Sequence, residues 1–329
     1  RSRGLGDVYK RQVLYMRIYA LGLPGMGIYN CGNGILSATG DTKRPLIYLS
    51  VAGVLNVLLN LFFVIGCNMS AEGVAIASAI AQWVSAILIM LHLMHRKDCC
   101  RIALTKLRFH RMASKRVLLI GVPSGLQNAI FAVANLFVQA GLNSFDEITV
   151  SGAAAAANAD TLVFNMMAAF YTACASFVSR NWGAGRNDRI RKSYYISMLY
   201  ASIVGALAGV LLILFGRQFL GFFADKPEVI DAGVDRLRIM AFSYFIAPLM
   251  DCSIAASRGL GRSVAPTVMV IMGSCVFRVV WIYTVFAFFH TITSLYLLYI
   301  VSWIITGVAE AIYFRMSYKK YVLERSMTW

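Results

Sequence analysis

Four ionisable residues stand inside long apolar stretches of this sequence: Asp160, Asp251, Arg278 and Glu310. Placing such a group at the centre of a bilayer costs on the order of 3 kcal/mol, so each position asks for a chemical reason. Asp251 is the best placed to have one. It lies in PLMDCSIAAS, three residues after Pro248. A proline within a helix leaves a carbonyl unpaired three or four residues earlier, and that oxygen together with a carboxylate suits a bound cation. The carboxyl can instead take up a proton itself. A third reading is a structural ion pair with Arg278, which sits in CVFRVVWIY.

Asp160, in AANADTLVF, is the second candidate for cation coupling, and with Asn158 and Asn165 it forms a polar group in one segment. Gln127, Asn128 and Asn135 fall at i, i+1 and i+8, close to one helix face. They line a cavity on one reading and make interhelical hydrogen bonds on the other. Tyr171 and Tyr244, together with Phe170, Phe177 and Phe245, offer ring faces to an aromatic cation, or simply pack. Glu310, near the end of the last apolar segment, reads as an interfacial partner of Arg315.

Other chemistry finds little support. Five of the seven cysteines, Cys31, Cys67, Cys174, Cys252 and Cys275, lie in or beside apolar runs and read as small core residues. Cys99 and Cys100 are adjacent, without the spacing of a zinc site. His92, His95 and His110 flank one loop, and His290 stands alone. The chain has no HExxH, GxSxG or Walker lysine motif, so an enzyme is not expected, and neither is a metal centre or an organic cofactor.

The elements that must position these groups are membrane helices. The chain is 59% hydrophobic and 14% charged over 329 residues. Nine apolar segments, approximately 13–38, 47–66, 73–94, 116–142, 151–179, 193–216, 233–257, 266–289 and 293–315, are each long enough to cross a hydrocarbon core of about 30 Å. Unpaired backbone is not tolerated in lipid, so they are expected to be helices. If the loop at 39–46 faces the cytoplasm, alternate connections and the tail hold 21 basic residues, whereas the opposite loops hold two, Arg217 and Lys226. This positive-inside pattern accounts for the net charge of +16 without any nucleic acid, and it predicts a multi-pass cell-membrane protein with a cytoplasmic C-terminus.

The predicted fold class is an all-α polytopic membrane protein of about nine transmembrane helices. The opening RSRGLGDVYKRQ, 1–12, has no apolar core and is set aside as adapter-like. Three helices follow over 13–94, then a basic linker at 95–115 where a short surface helix is expected. A six-helix lobe spans 116–318, and a tail spans 319–329. An internal repeat links the two helical parts. A gapless separation of 221 residues pairs Arg17 with Arg238, Ala20 with Ala241, Cys31 with Cys252, Gly40 with Gly261 and Pro45 with Pro266. Both members run the same way through the membrane, which implies parallel repeats. The earlier repeat shows three helices where the later shows six, so the complete protein is expected to have twelve.

YALGLPGMGIYNCGNGILSATGDTKRP, the loop RNWGAGRNDRIRK and SRGLGRSVAP together resemble the multidrug and toxic compound extrusion (MATE) transporters. The correspondence runs through Gly40-Asp41-Thr42, then Asn181, Gly183, Ala184 and Arg189, then Arg258-Gly259 and Gly261. The resemblance implies two pseudo-symmetric six-helix bundles around a central cavity. It implies a protein monomeric when complete, in which Na⁺ or H⁺ drives export of a drug-like, often cationic small molecule. The family commonly places an acidic residue in the helix of Asp251, although Asp251 lies about one turn nearer the cytoplasm than in the best-known branch. Some members carry a coupling glutamate in the helix at 116–142, and this sequence has none there. The alternative is a lipid-linked oligosaccharide flippase of related fold, a function that favours cavities richer in Arg and Lys.

Overall fold

In the computed structural model the described residues are 2–98, 100–103, 105 and 108–323, with side chains described within 9–320. Among them the architecture is entirely helical. The long helices are α1 (Ser2–Thr39), α2 (Lys43–Gly66), α3 (Ala71–His95), α4 (Arg111–Leu142), α5 (Glu147–Gly183), α6 (Asn187–Leu220), α7 (Pro227–Gly259), α8 (Val264–Phe289) and α9 (Ile292–Lys320). All but α1 are long and apolar enough to cross a membrane. The chain is an all-α polytopic membrane protein.

One boundary differs from the sequence reading. The segment 13–38 belongs to a 38-residue helix in which residues 2–12, expected to lie outside the fold, continue without a break. Five glycines and two asparagines over 21–39 dilute its apolar character below that of the other eight helices. In the linker, where a short surface helix is expected, 96–98, 100–103 and 108–110 are irregular and Thr105 lies in a tight helical turn; positions 99, 104, 106 and 107, like the tail at 324–329, lie outside the described residues.

The helices fall into two compact units, 1–109 and 110–329. In the first, α3 packs on α1 and α2 around Tyr29, Leu36, Ile89 and Leu93. In the second, α7 is the central helix, packed on α5, α6 and α9, while α4 and α8 close the bundle. Small residues let the backbones approach. A methyl group on Gly152 of α5 would lie 2.6 Å from the Val229 carbonyl of α7, and one on Gly205 of α6 would lie 2.2 Å from the Tyr244 carbonyl. The outward faces are apolar: α6 exposes Leu207, Val210, Leu211 and Leu214, as a lipid-facing surface does.

Helix stops repeat in kind. At the end of α1, Gly40 N–H donates to the Ser37 carbonyl and Asp41 N–H to the Leu36 carbonyl, and Gly40 has φ 91°. At the end of α7, Gly261 N–H donates to the Arg258 carbonyl and Arg262 N–H to the Ser257 carbonyl, with Gly261 at φ 77°. Each position equals its counterpart plus 221, and Pro45 and Pro266 each take the third place of the next helix. The sequence repeat is therefore also a repeat of backbone geometry. The left-handed φ is why glycine stands at both stops.

Candidate functional site

Within the second unit a cavity of about 310 Å³ lies among α4, α5, α7, α8 and α9. Its walls bring together Asn135, Asp160, Arg236, Asp251 and Arg278, with Phe131, Phe164, Tyr299 and Trp303 as the main aromatic lining. Three of the four ionisable residues singled out in the sequence thus meet at one place.

They play different parts. Asp160 on α5 is held on both oxygens: Arg236 of α7 ion-pairs with one, and the Tyr244 hydroxyl donates to the other. Arg236 also donates to the Ala153 carbonyl and lies over the Tyr296 ring. Asp160 is therefore a compensated charge that ties α5 to α7. Arg278 of α8 is 1% exposed. It donates to the Asn135 side chain at 3.0 Å, and its guanidinium lies 4.6 Å from the Tyr299 ring centroid and 5.1 Å from that of Phe131. Those aromatic faces and one amide stabilise the buried cation. The proposed Asp251–Arg278 ion pair is absent among the described residues, because Arg278 is already engaged across the cavity. Asp251 keeps a place in the wall with neither a hydrogen bond nor an ion pair among the described residues.

The carbonyl freed by Pro248 does not join Asp251. The acceptor four residues earlier, the Tyr244 oxygen, faces Gly205 of α6 at close range. It serves helix packing there.

The other expected cavity residues disperse. Gln127 accepts a bond of 2.8 Å from Arg258, near the end of α7, and Asn128 is exposed. Asn158 is exposed and donates to the carbonyls of Ala154 and Ala155 on its own helix, and Asn165 is also exposed. Tyr171 is half-buried against the cluster around Cys174 and Val178. Phe170 and Phe177 line a different groove, beside Arg180 and Asn181, and Phe245 is exposed. The geometry of a helix explains this: residues sharing a rough face still fan out over tens of degrees, and only those at the inner line meet the cavity. Glu310 is not an interfacial partner of Arg315. It is fully buried, and Arg315 is exposed.

Two participants escaped the sequence reading. Arg236 falls just inside the segment 233–257 and passes for a membrane-edge charge, as Arg258 passes for a loop charge. The signal available was their position on the helix that also carries Asp251. Arg236 is 15 residues before Asp251 and Arg258 seven after it.

The profile of the MatE family matches residues 6–62 and 123–284, both arms of the fold and most of the cavity wall. The chain belongs to the MatE family. It is 25% identical over 70% of its length to the "Probable multidrug resistance protein YpnP" of Bacillus subtilis, covering 51% of that protein. It is 24% identical over 66% of its length to the "FAD transporter" of Shewanella oneidensis, covering 49% of it. The chain therefore spans about half the length of these curated relatives. Among solved structures, an outward-facing multidrug resistance MATE family transporter of the MOP superfamily superposes with a TM-score of 0.86 at 20% identity, over 94% of this chain and 69% of the other. That likeness confirms a MatE fold.

Proposed function

We propose that this MatE chain belongs to a secondary-active exporter of cationic or amphipathic small molecules, and that Asp251 binds the coupling Na⁺ or H⁺. The observation that carries this reading is the asymmetry between the two cavity carboxylates. Asp160 is neutralised by Arg236, whereas Asp251 faces the same cavity with no hydrogen bond or direct ion pair among the described residues. An ionised group left so in a low-dielectric wall is unfavourable until a cation or proton joins it, so its charge state is open to a gradient. The multidrug naming of the Bacillus relative supports the substrate class. Orientation follows the basic loops, which are taken as cytoplasmic in the cell membrane. The aromatic lining of Phe131, Phe164, Tyr299 and Trp303 suits a flat organic cation.

The test is transport by the full-length gene product in inverted vesicles, with Na⁺ and H⁺ gradients imposed separately. One of the two is expected to drive uptake, and D251N to remove at least about 90% of that gradient-driven component while inserting normally. Undiminished uptake by D251N rejects Asp251 as the coupling group. A second reading rests on Arg278 in the same wall, which suits an anionic headgroup such as that of a lipid-linked oligosaccharide. Saturable binding of a pyrophosphate lipid by the purified protein, lost in R278Q, is the result that favours it.

A further inference from the structure

Glu310 is 0% exposed, and neither of its carboxylate oxygens has a hydrogen-bond partner. It lies in the interior of α9, ten residues before Lys320, about 15 Å from the end of the helix that runs to the basic connections. On α7, which packs against α9, Arg258 follows Asp251 by seven residues, two helical turns along the same face, and its positive charge acts on both Asp251 and Glu310. Arg258 spends one N–H on Gln127 at 2.8 Å, and its buried Nε has no partner. Two carboxyls thus share one guanidinium, and no direct ion pair closes on either. If both acids were ionised, the group would carry one uncompensated negative charge, a state that low-dielectric surroundings strongly disfavour. A hard metal cation needs several oxygen ligands, and no hydroxyl or amide bonds to Glu310. A proton needs only one.

The other elements packed on α9 leave this balance intact. α4 offers the neutral Gln127. The cation of α8, Arg278, is held at Tyr299, eleven residues before Glu310, or about 16 Å along the helix. From α6, Tyr194 bonds to Ser253 and Arg191 lies over the Tyr195 ring.

We propose that Glu310 is a proton-binding site of this bundle, linked through Arg258 to Asp251, so that the two carboxyls hold one proton between them. The exchange is balanced. When the proton is on Asp251, Glu310 is the anion facing Arg258; when Asp251 is ionised, Glu310 holds the proton, and Arg258 stays cationic throughout. Glu310 lies nearer the basic end of the bundle than the cavity does, so the sharing of one proton links the charge at that end to the charge in the cavity. The assignment deepens the reading of Asp251 as the coupling group and rests on it for its physiological meaning. Its test reads protonation directly, so a failure to transport leaves it standing.

The full-length protein, labelled with ¹³C-glutamate and reconstituted in liposomes, is followed by infrared pH-difference spectroscopy. A labelled carboxylic-acid C=O band is expected that E310Q removes. At a pH where this band is half-developed in the wild type, D251N should weaken it by at least about threefold, because Arg258 then serves Glu310 alone. R258Q should strengthen it, because the stabilising cation is gone. A purely structural glutamate does not give these opposite signs. A spectrum that E310Q leaves unchanged overturns the site, and a band indifferent to both D251N and R258Q overturns the link. Should E310Q fail to fold, the labelled wild-type band and its response to D251N still decide the matter.

Discussion

Asp160 and Asp251 are the same side chain in the same cavity, and their neighbours alone give them different chemistry. Asp160 receives a direct ion pair and a phenol hydrogen bond; Asp251 receives neither contact. Both Arg236 and Asp160 are largely buried, with side-chain exposures of 12% each, so solvent screens the pair little. Removing one member leaves the other uncompensated. D160N or R236Q should therefore each lower stability by on the order of 3 kcal/mol, and the paired apolar variant D160L/R236L should recover much of the loss. Thermal unfolding in detergent, followed by tryptophan fluorescence, measures this, and additive losses in the double variant contradict the pairing. Asp160 and Asp251 were legible in the sequence as costly residues in apolar segments. Which of them was compensated was not, because the compensating Arg236 reaches Asp160 across 76 residues of chain.

At the level of elements, α7 owes its central position to surfaces that admit no side chain. Pro248 deprives the Tyr244 carbonyl of its helical donor, and the space opposite is occupied by the bare backbone of Gly205. G205A should separate α6 from α7 and lower the melting temperature markedly. G125A, where nothing lies within 4 Å of the added carbon, should change it little. Equal behaviour of the two variants defeats this account of the packing. Helix caps act at the same scale. Asp146 begins α5 by accepting bonds from the Thr149 amide and hydroxyl, and the hydroxyl bond holds its carboxyl below the usual range. A depressed carboxylate stabilises the fold above its ordinary titration range and stops doing so as pH falls through the lowered value. Amide exchange at Thr149 should accelerate in acid relative to D146N, in which that titration is gone. The glycines of the helix stops were visible in the sequence as motifs, and their left-handed φ angles are the physical content of those motifs.

For the whole molecule, the exposed apolar faces and the segregated basic residues answer to the bilayer instead of to an internal core. Single cysteines placed at 108, 186 and 262 should resist a membrane-impermeant thiol reagent in intact cells, whereas those at 144 and 225 should react. Labelling of the first group reverses the orientation. Membrane residence, the apolar segments that become α2–α9, and the glycine stops were legible in the sequence alone, because apolar length and φ preference are local properties. The assembly of the cavity and the fate of each charge were decided by tertiary structure. Arg258 finds Gln127 across 131 residues, and Arg278 finds Asn135 across 143. No periodicity along one helix encodes such a meeting. It depends on how far each helix is rotated in the bundle, which is set by the close backbone contacts that Gly152 and Gly205 permit.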